Sequence, residues 1–191
     1  MSLIHHWPLV DGLKDNLSRV PLTGNSTEVT GKIGPCRELD GQFLQASDSK
    51  LKGLDIFSIS MWIKYSETKA DWADIFGLGI QHNVSLQVKS LRLEVTSTNG
   101  TSAGVFNNGI LTNSGGAGRY LTLTKEKWHH FVLTKDNELI QYFLDGMLIH
   151  QYRFLDVAGC SDGWCTGEFH LGDVNYKGCF SDVRIYDHIL S

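Results

Sequence analysis

The chain has 191 residues, a net charge of −4 and an isoelectric point near 6.0. Hydrophobic residues make up 41% of the chain and charged residues 20%, which allows a folded core and excludes global disorder. Basic residues form no stripe, so we expect no nucleic-acid partner. No apolar run reaches membrane-spanning length, so we expect no membrane insertion.

The N-terminal residues, MSLIHHWPLV, lack a basic segment followed by an apolar stretch and are not a signal peptide. A strand pattern starts within a few residues of Met1, and another runs to the C-terminus. The length suits one β-sandwich domain. Two interpretations are open: a protein made in the cytoplasm, or a domain cut from a longer chain. The close trimming favours the second, so we expect one domain over residues 1–191, excised from a longer protein.

Period-two alternation begins clearly at residues 57–64, FSISMWIK. Phe57, Ile59, Met61 and Ile63 share one face, which predicts a strand that buries that face in a core. Residues 84–95, VSLQVKSLRLEV, repeat the alternation with a slip at Lys89–Ser90. The slip predicts two strands separated by a turn or a bulge.

The second half of the chain continues the strand pattern. Residues 128–135, WHHFVLTK, predict a strand, and residues 139–153 predict a hairpin around Asp145-Gly146, a pair that suits a type I′ turn. EFHLGD and GCFSDVRIYDHIL complete the series, with Val183 and Ile185 expected in the core. No segment has sustained helical periodicity, so we predict an all-β, two-sheet antiparallel sandwich of the jelly-roll type.

Three stretches lack alternation and are predicted to be loops: residues 66–74, 97–119 and 155–167. The second is rich in Gly, Ser, Asn and Thr, and long loops on rigid scaffolds often carry function. In the third, Cys160 and Cys165 bracket a turn-rich SDGW segment. A loop-closing disulfide and two free thiols are both open there, because the redox compartment decides between them.

Five segments together resemble a known family. They are HHWPLVDGLKDNLS, GKIGPCRELDGQFLQASDS, FSISMWIK, WHHFVLTKDNELIQYFLDGMLI and GCFSDVRIYDHILS. In this order they are similar to the motifs of laminin-G-like (concanavalin A-like) jelly-roll domains. The closing motif resembles that of domains in bacteriophage tail or minor structural proteins and in bacterial surface proteins. The resemblance implies a binding module located outside the cell, on a virion or on a cell surface.

The same fold is shared by glycoside hydrolases and lyases, so catalysis needs its own argument. Glucan-cleaving relatives resemble one another in an E-x-D-x-x-E strand, whose carboxylates serve as nucleophile and acid. This chain lacks that run: Glu94 and Glu168 are isolated, and Asp71 and Asp74 flank Trp72 in a predicted loop. We therefore expect that the protein is not an enzyme.

The resemblance also implies a structural calcium ion. In relatives the opening and closing strands meet, and here those strands carry Asp11 and Asp182, whose carboxylates suit calcium. The alternative is that Asp182 pairs with Arg184 and that Asp11 only starts a turn before Gly12.

Ligand contacts are expected in the loops. Trp72 and Trp164 are the candidate plates for stacking a sugar ring, and neighbouring carboxylates supply hydrogen bonds; these are Asp71, Asp74 and Asp162. The alternative is that each tryptophan plugs the edge of the core. The strand faces carry scattered polar residues, and Trp7, Trp62 and Trp128 are interpreted as structural.

We consequently predict a non-catalytic module that recognises carbohydrate or a cell-surface receptor. A structural or assembly domain that binds other virion or surface-protein subunits is the first alternative. A glycan-active hydrolase or lyase is the second.

Overall fold

A computed structural model of the protein describes residues 1–17, 20–69, 72–78, 91–96, 102–106, 121–137, 139–153 and 167–191. These residues form two antiparallel sheets and one short 3-10 turn at Ser49–Leu51. No helix in these ranges is long and apolar enough to cross a membrane.

Sheet A has eight strands in the described ranges, in the order β13-β12-β11-β6-β15-β4-β3, and β1 also pairs with β15. Its strands are β1 Leu3–Trp7, β3 Thr27–Thr30, β4 Pro35–Asp40, β6 Ile56–Thr68, β11 Trp128–Asp136, β12 Leu139–Leu144, β13 Met147–Arg153 and β15 Tyr176–Tyr186.

Sheet B has seven strands in the described ranges, in the order β10-β9-β8-β7-β14-β5-β2. Its strands are β2 Thr23–Gly24, β5 Leu44–Ser47, β7 Trp72–Leu78, β8 Leu91–Thr96, β9 Ser102–Phe106, β10 Leu121–Thr122 and β14 Glu168–Leu171. The predicted two-sheet jelly-roll sandwich is confirmed.

The core lies between the sheets and follows the predicted alternation. The residues expected there are at most 1% exposed: Phe57, Ile59, Met61, Ile63, Val183 and Ile185. The hairpin turn is also confirmed, because Asp145 and Gly146 have φ of +52° and +81°, as the two central residues of a type I′ turn require. The alternation therefore predicts correctly which residues of β6 and β15 lie in the core.

Two loop predictions are wrong in part. Residues 66–74 are strand at both ends, since β6 continues to Thr68 and β7 begins at Trp72. The 97–119 stretch contains β9, which pairs with β8 over residues 102–106. In both places ladder hydrogen bonds to a neighbouring strand override a composition that disfavours strands.

Candidate functional site

The predicted ligand residue Asp74 lies on β7, beside β14 in the middle of sheet B. Its Oδ2 is 3.3 Å from Nε2 of His170 on β14, and both side chains are at most 3% exposed. The ladder between the strands pairs His170 with Gly77. We call Asp74, Gly77, His170 and Asp173 the β7–β14 site.

Asp173 fixes the position of Asp74. Its Oδ2 accepts a hydrogen bond from the Asp74 amide at 3.0 Å, and its Oδ1 accepts one from the Asn175 amide at 2.8 Å. The preceding Gly172 has φ of +68° and donates its amide to Ile75 O at 2.8 Å. The turn after β14 therefore holds β7 at the level of the Asp74–His170 pair.

The His170 ring lies directly over Gly77, so a side chain at position 77 would collide with the ring. A Cβ at this glycine would be 2.2 Å from Cε1 of the ring. An ionised carboxylate only accepts hydrogen bonds, so Asp74 favours a proton on Nε2 of His170 and leaves Nδ1 as an acceptor in the neutral ring. Nδ1 is buried and has no hydrogen-bond partner in the part of the chain that the structure describes.

Buried acceptors are normally satisfied, so an unmatched one asks for an explanation such as an absent ligand or water. A hydroxyl group is the simplest donor that would complete Nδ1. His170 is only 3% exposed, so a hydroxyl from outside the protein reaches Nδ1 only if the surrounding residues move. The sequence carried no signal for His170, because its partner Asp74 is brought to it only by the pairing of β7 with β14.

The structure describes the other predicted ligand residues only in part. The Trp72 backbone is two residues from Asp74 on the same strand, so both belong to β7 rather than to a loop. Asp71, Asp162 and Trp164 lie outside the described residues, as does the Cys160–Cys165 pair. Their predicted roles stay predictions.

Glu94, which is isolated from other carboxylates in the sequence, has a carboxylate residue as its neighbour on the adjacent strand. Asp74 pairs directly with Glu94 in the ladder between β7 and β8. Neither residue lies in an E-x-D-x-x-E run, so the sequence pattern of glucan-cleaving relatives does not detect this pairing. Asp74 is buried, and its Oδ2 lies 3.3 Å from Nε2 of His170.

The outer face of sheet A carries two tryptophans, Trp62 and Trp128. Both are partly exposed there, and Trp62 contacts His130. Trp7 is fully buried in the core. The structural roles expected for these three tryptophans stay predictions.

The predicted calcium residues have other surroundings. Oδ1 of Asp182 is 2.8 Å from Nε2 of His6 and accepts a hydrogen bond from Nε of Arg184 at 3.0 Å. Asp11 is exposed in a turn before Gly12, which has φ of +82°. Among the described residues no group of three or more His, Cys, Asp or Glu is arranged to hold a metal. Asp182 therefore has the Arg184 partner that the alternative interpretation gave it, and the calcium site stays a prediction.

Comparisons with known proteins agree with the fold. Residues 40–191 match the family model of the concanavalin A-like lectin/glucanases superfamily. None of the curated proteins compared with the chain matches it.

Several solved structures are similar. Domain 4 of an extracellular GH43 arabinanase from Geobacillus stearothermophilus, solved with arabinotriose, has a TM-score of 0.74 at 17% identity and covers 100% of this chain and 94% of that one. The receptor-binding domain of botulinum neurotoxin mosaic serotype C/D has a TM-score of 0.70 at 16% identity, over 100% of this chain and 48% of that one. Trypanosoma rangeli sialidase has a TM-score of 0.69 at 12% identity, over 99% and 31%.

Proposed function

The chain belongs to the concanavalin A-like lectin/glucanases superfamily, and we propose that it is a non-catalytic module that binds carbohydrate. The observation that carries this proposal is Nδ1 of His170, a buried acceptor with no partner among the described residues. Asp74 orients the ring, and Trp72 lies two residues before Asp74 on the same strand. A sugar hydroxyl that donates to Nδ1 would complete the site once the residues that bury His170 have moved, with Trp72 as the stacking residue.

The ligands of similar structures support this class of partner. The arabinanase domain is described in complex with arabinotriose. Entry of botulinum neurotoxin type C depends on two ganglioside molecules, and a binding domain of type DC is described with rat synaptotagmin II. We accordingly propose carbohydrate as the partner of this chain, with a cell-surface receptor protein as the alternative partner.

Site variants test the proposal. A glycan library is screened first, and affinities for the bound glycan are measured by calorimetry. Trp72→Ala is expected to weaken binding several-fold, since a stacking aromatic contributes about 1 kcal/mol beyond its buried area. His170→Gln keeps an amide near Asp74 but removes the Nδ1 acceptor, so it is expected to weaken binding as well.

Trp128→Ala is the matched control, because this tryptophan lies on the other sheet, and its affinity is expected to equal that of the wild type. Trp164→Ala, Asp71→Asn and Asp162→Asn test the remaining predicted residues in the same assay. Unchanged affinity in Trp72→Ala, His170→Gln and Trp164→Ala would place the site elsewhere.

We propose a location outside the cell, on a virion or cell surface, as part of a phage tail or bacterial surface protein. The support is the resemblance of the closing motif, together with the extracellular arabinanase among the similar structures. An assembly role, in which the domain binds other virion or surface-protein subunits, is the alternative. Binding of a purified subunit with no retained glycan would favour that role.

Glycan hydrolysis is a second candidate because Asp74 and Glu94 are ladder partners. Retaining hydrolysis needs two carboxylates about 5–5.5 Å apart. Release of reducing ends from polysaccharides is the assay, repeated with Asp74→Asn, Glu94→Gln and Asp71→Asn. Release that disappears in these variants would replace the binding proposal with an enzymatic one.

A structural calcium ion at Asp11 and Asp182 remains a proposal that rests on the resemblance alone. A ligand that binds only the native state raises stability by mass action. The proposal thus predicts a melting temperature that rises with added calcium and falls with a chelator. Identical melting curves in the two conditions would remove it.

A further inference from the structure

The outer face of sheet A carries a second cluster of polar and aromatic side chains, formed by four neighbouring strands. The ladders pair His130 on β11 with Trp62 on β6, Ser60 on β6 with Arg184 on β15, and Arg184 with His6 on β1. Core residues alternate with them along β6, so these side chains point away from the core. We define the sheet A patch as Trp62, His130, Lys32, His6, Asp182 and Arg184.

Trp62 is the aromatic plate of this patch, and its neighbours hold it in one orientation. The ring centroids of Trp62 and His130 are 5.0 Å apart. Nε2 of His130 is 2.9 Å from Oγ of Ser60, and the His130 amide donates to Oδ1 of Asp145 at 2.8 Å. A partly exposed aromatic ring that is already fixed loses little entropy when a ligand stacks on it.

The acceptor of the patch is equally fixed. Asp182 lies at the register shift of β15 between Ser181 and Arg184, and its φ is +52°. Left-handed backbone is uncommon for residues other than glycine and is often found at functional sites. His6 and Arg184 hold the Asp182 carboxylate at 2.8 Å and 3.0 Å. The backbone irregularity thus turns a carboxylate outward beside the plate.

Lys32 covers the plate. Its Nζ is 3.8 Å from the Trp62 ring centroid, and the side chain extends from the exposed turn between β3 and β4. Lys32 and Arg184 balance the carboxylates of Asp145 and Asp182 near His130. Lys64, on the same face of β6, is balanced by Glu126 at 3.5 Å, so these six groups together carry no net charge. This balance favours an uncharged ligand over an anion or a cation.

We propose that the sheet A patch is a second saccharide site, which stacks the apolar face of a neutral pyranose on Trp62 after displacing Lys32. Asp182 accepts a hydrogen bond from one sugar hydroxyl, and Arg184 donates to another. This inference takes the class of ligand, carbohydrate, from the proposed function, whereas the position of the site is argued independently of it. Two sites on opposite sheets would let one domain contact two chains of a glycan surface.

The test is an NMR titration of the full chain, labelled with nitrogen-15. The probes are arabinotriose and a panel of neutral methyl hexopyranosides at millimolar concentration. Five tryptophans give five indole N–H signals, and each is assigned from the corresponding Trp→Phe variant. The Trp62 indole and the amides of Trp62 and His130 are expected to shift saturably, while the indole of the buried Trp7 stays as a reference.

Three variants sharpen the test. Trp62→Ala is expected to abolish the shifts of the amides around the patch, and Trp128→Ala, the matched control from the same face, is expected to preserve them. Lys32→Ala uncovers the ring and is expected to tighten binding about two- to fivefold, the size of an exposed cation–π contact. Weaker or equal binding in Lys32→Ala would overturn the covering role of this lysine.

The position of the shifts separates this inference from the proposed function. Shifts near Trp72 alone would overturn the second site and leave the β7–β14 site intact. Shifts at Trp62 alone would support the second site and contradict the β7–β14 placement. The absence of shifts at the patch with every probe would also overturn the inference.

Discussion

At the scale of single residues, His130 combines burial with a fixed hydrogen-bond partner. Its ring lies against Trp62, and Nε2 faces the Ser60 hydroxyl at 2.9 Å. Burial lowers the pKa of His130 below its ordinary value of 6.5, and the opposing effect of the Asp145 and Asp182 carboxylates is smaller. The neutral ring is therefore the form that the folded protein favours.

This preference predicts a pH dependence of stability. The unfolded chain binds a proton on His130 near pH 6.5, whereas the folded chain resists it. The contribution of His130 is therefore fully present above that value and is lost as pH falls from it toward the lower folded pKa. We expect the free energy of unfolding, measured by urea titration, to fall more steeply over this range in the wild type than in His130→Gln. Parallel profiles for the two proteins would contradict the prediction.

At the scale of elements, β6 organises the core. It pairs with β11 on one side and with β15 on the other, and its alternate residues enter the space between the sheets. Two isoleucines at its beginning differ sharply: Ile59 is fully buried, whereas Ile56 is 42% exposed. The strand therefore contains its own matched pair for measuring the energy of burial.

Ile59→Ala is expected to lower the free energy of unfolding by about 2–5 kcal/mol, because it removes buried methyl groups and leaves a cavity. Ile56→Ala is expected to change it by less than about 0.5 kcal/mol, as is usual for surface positions. Chemical denaturation of both variants checks the difference. Equal losses in the two variants would contradict the proposed packing of β6.

The pairing of β7 with β14 has a different requirement, since the His170 ring occupies the space above Gly77. Gly77→Ala would place a Cβ 2.2 Å from Cε1 of the ring, so the ring must move and lose its contact with Asp74. We expect this variant to lose carbohydrate binding at the β7–β14 site, as measured by calorimetry.

Gly146→Ala is the control for Gly77→Ala. Its Cβ would meet nothing within 4 Å, but Gly146 has φ of +81°. This variant is expected to lose about 1 kcal/mol of stability through backbone strain while it keeps full binding. Full binding in Gly77→Ala would show that the position of the His170 ring does not matter for the ligand.

At the scale of the whole molecule, the sequence predicts features that depend on neighbours in the chain, and it fails for features that depend on tertiary contacts. Alternation places Val183 and Ile185 in the core, and turn chemistry predicts the Asp145-Gly146 hairpin, because both depend on neighbours in the chain. Trp72 lies in a stretch without alternation, which predicts a loop. The ladder with β8, which pairs Trp72 with Thr96, makes this position a strand instead.

The candidate sites depend even more on distant contacts. Asp74 meets His170, and Lys32 meets Trp62, only after strands far apart in the chain have paired. Neither pair has a signature in sequence spacing. The register shift that gives Asp182 its positive φ is equally invisible before β15 pairs with β6. Fold class was therefore accessible from the sequence, whereas the chemistry of both faces needed the three-dimensional arrangement.

We propose that this domain binds carbohydrate without changing it. The most direct test is a glycan array probed with the wild type, Trp72→Ala and Trp128→Ala, followed by mass spectrometry of the retained oligosaccharide after prolonged incubation. We predict retention of a neutral oligosaccharide at unchanged mass, reduced by Trp72→Ala and unaffected by Trp128→Ala. Retention of no glycan, or the appearance of shorter products, would contradict the account.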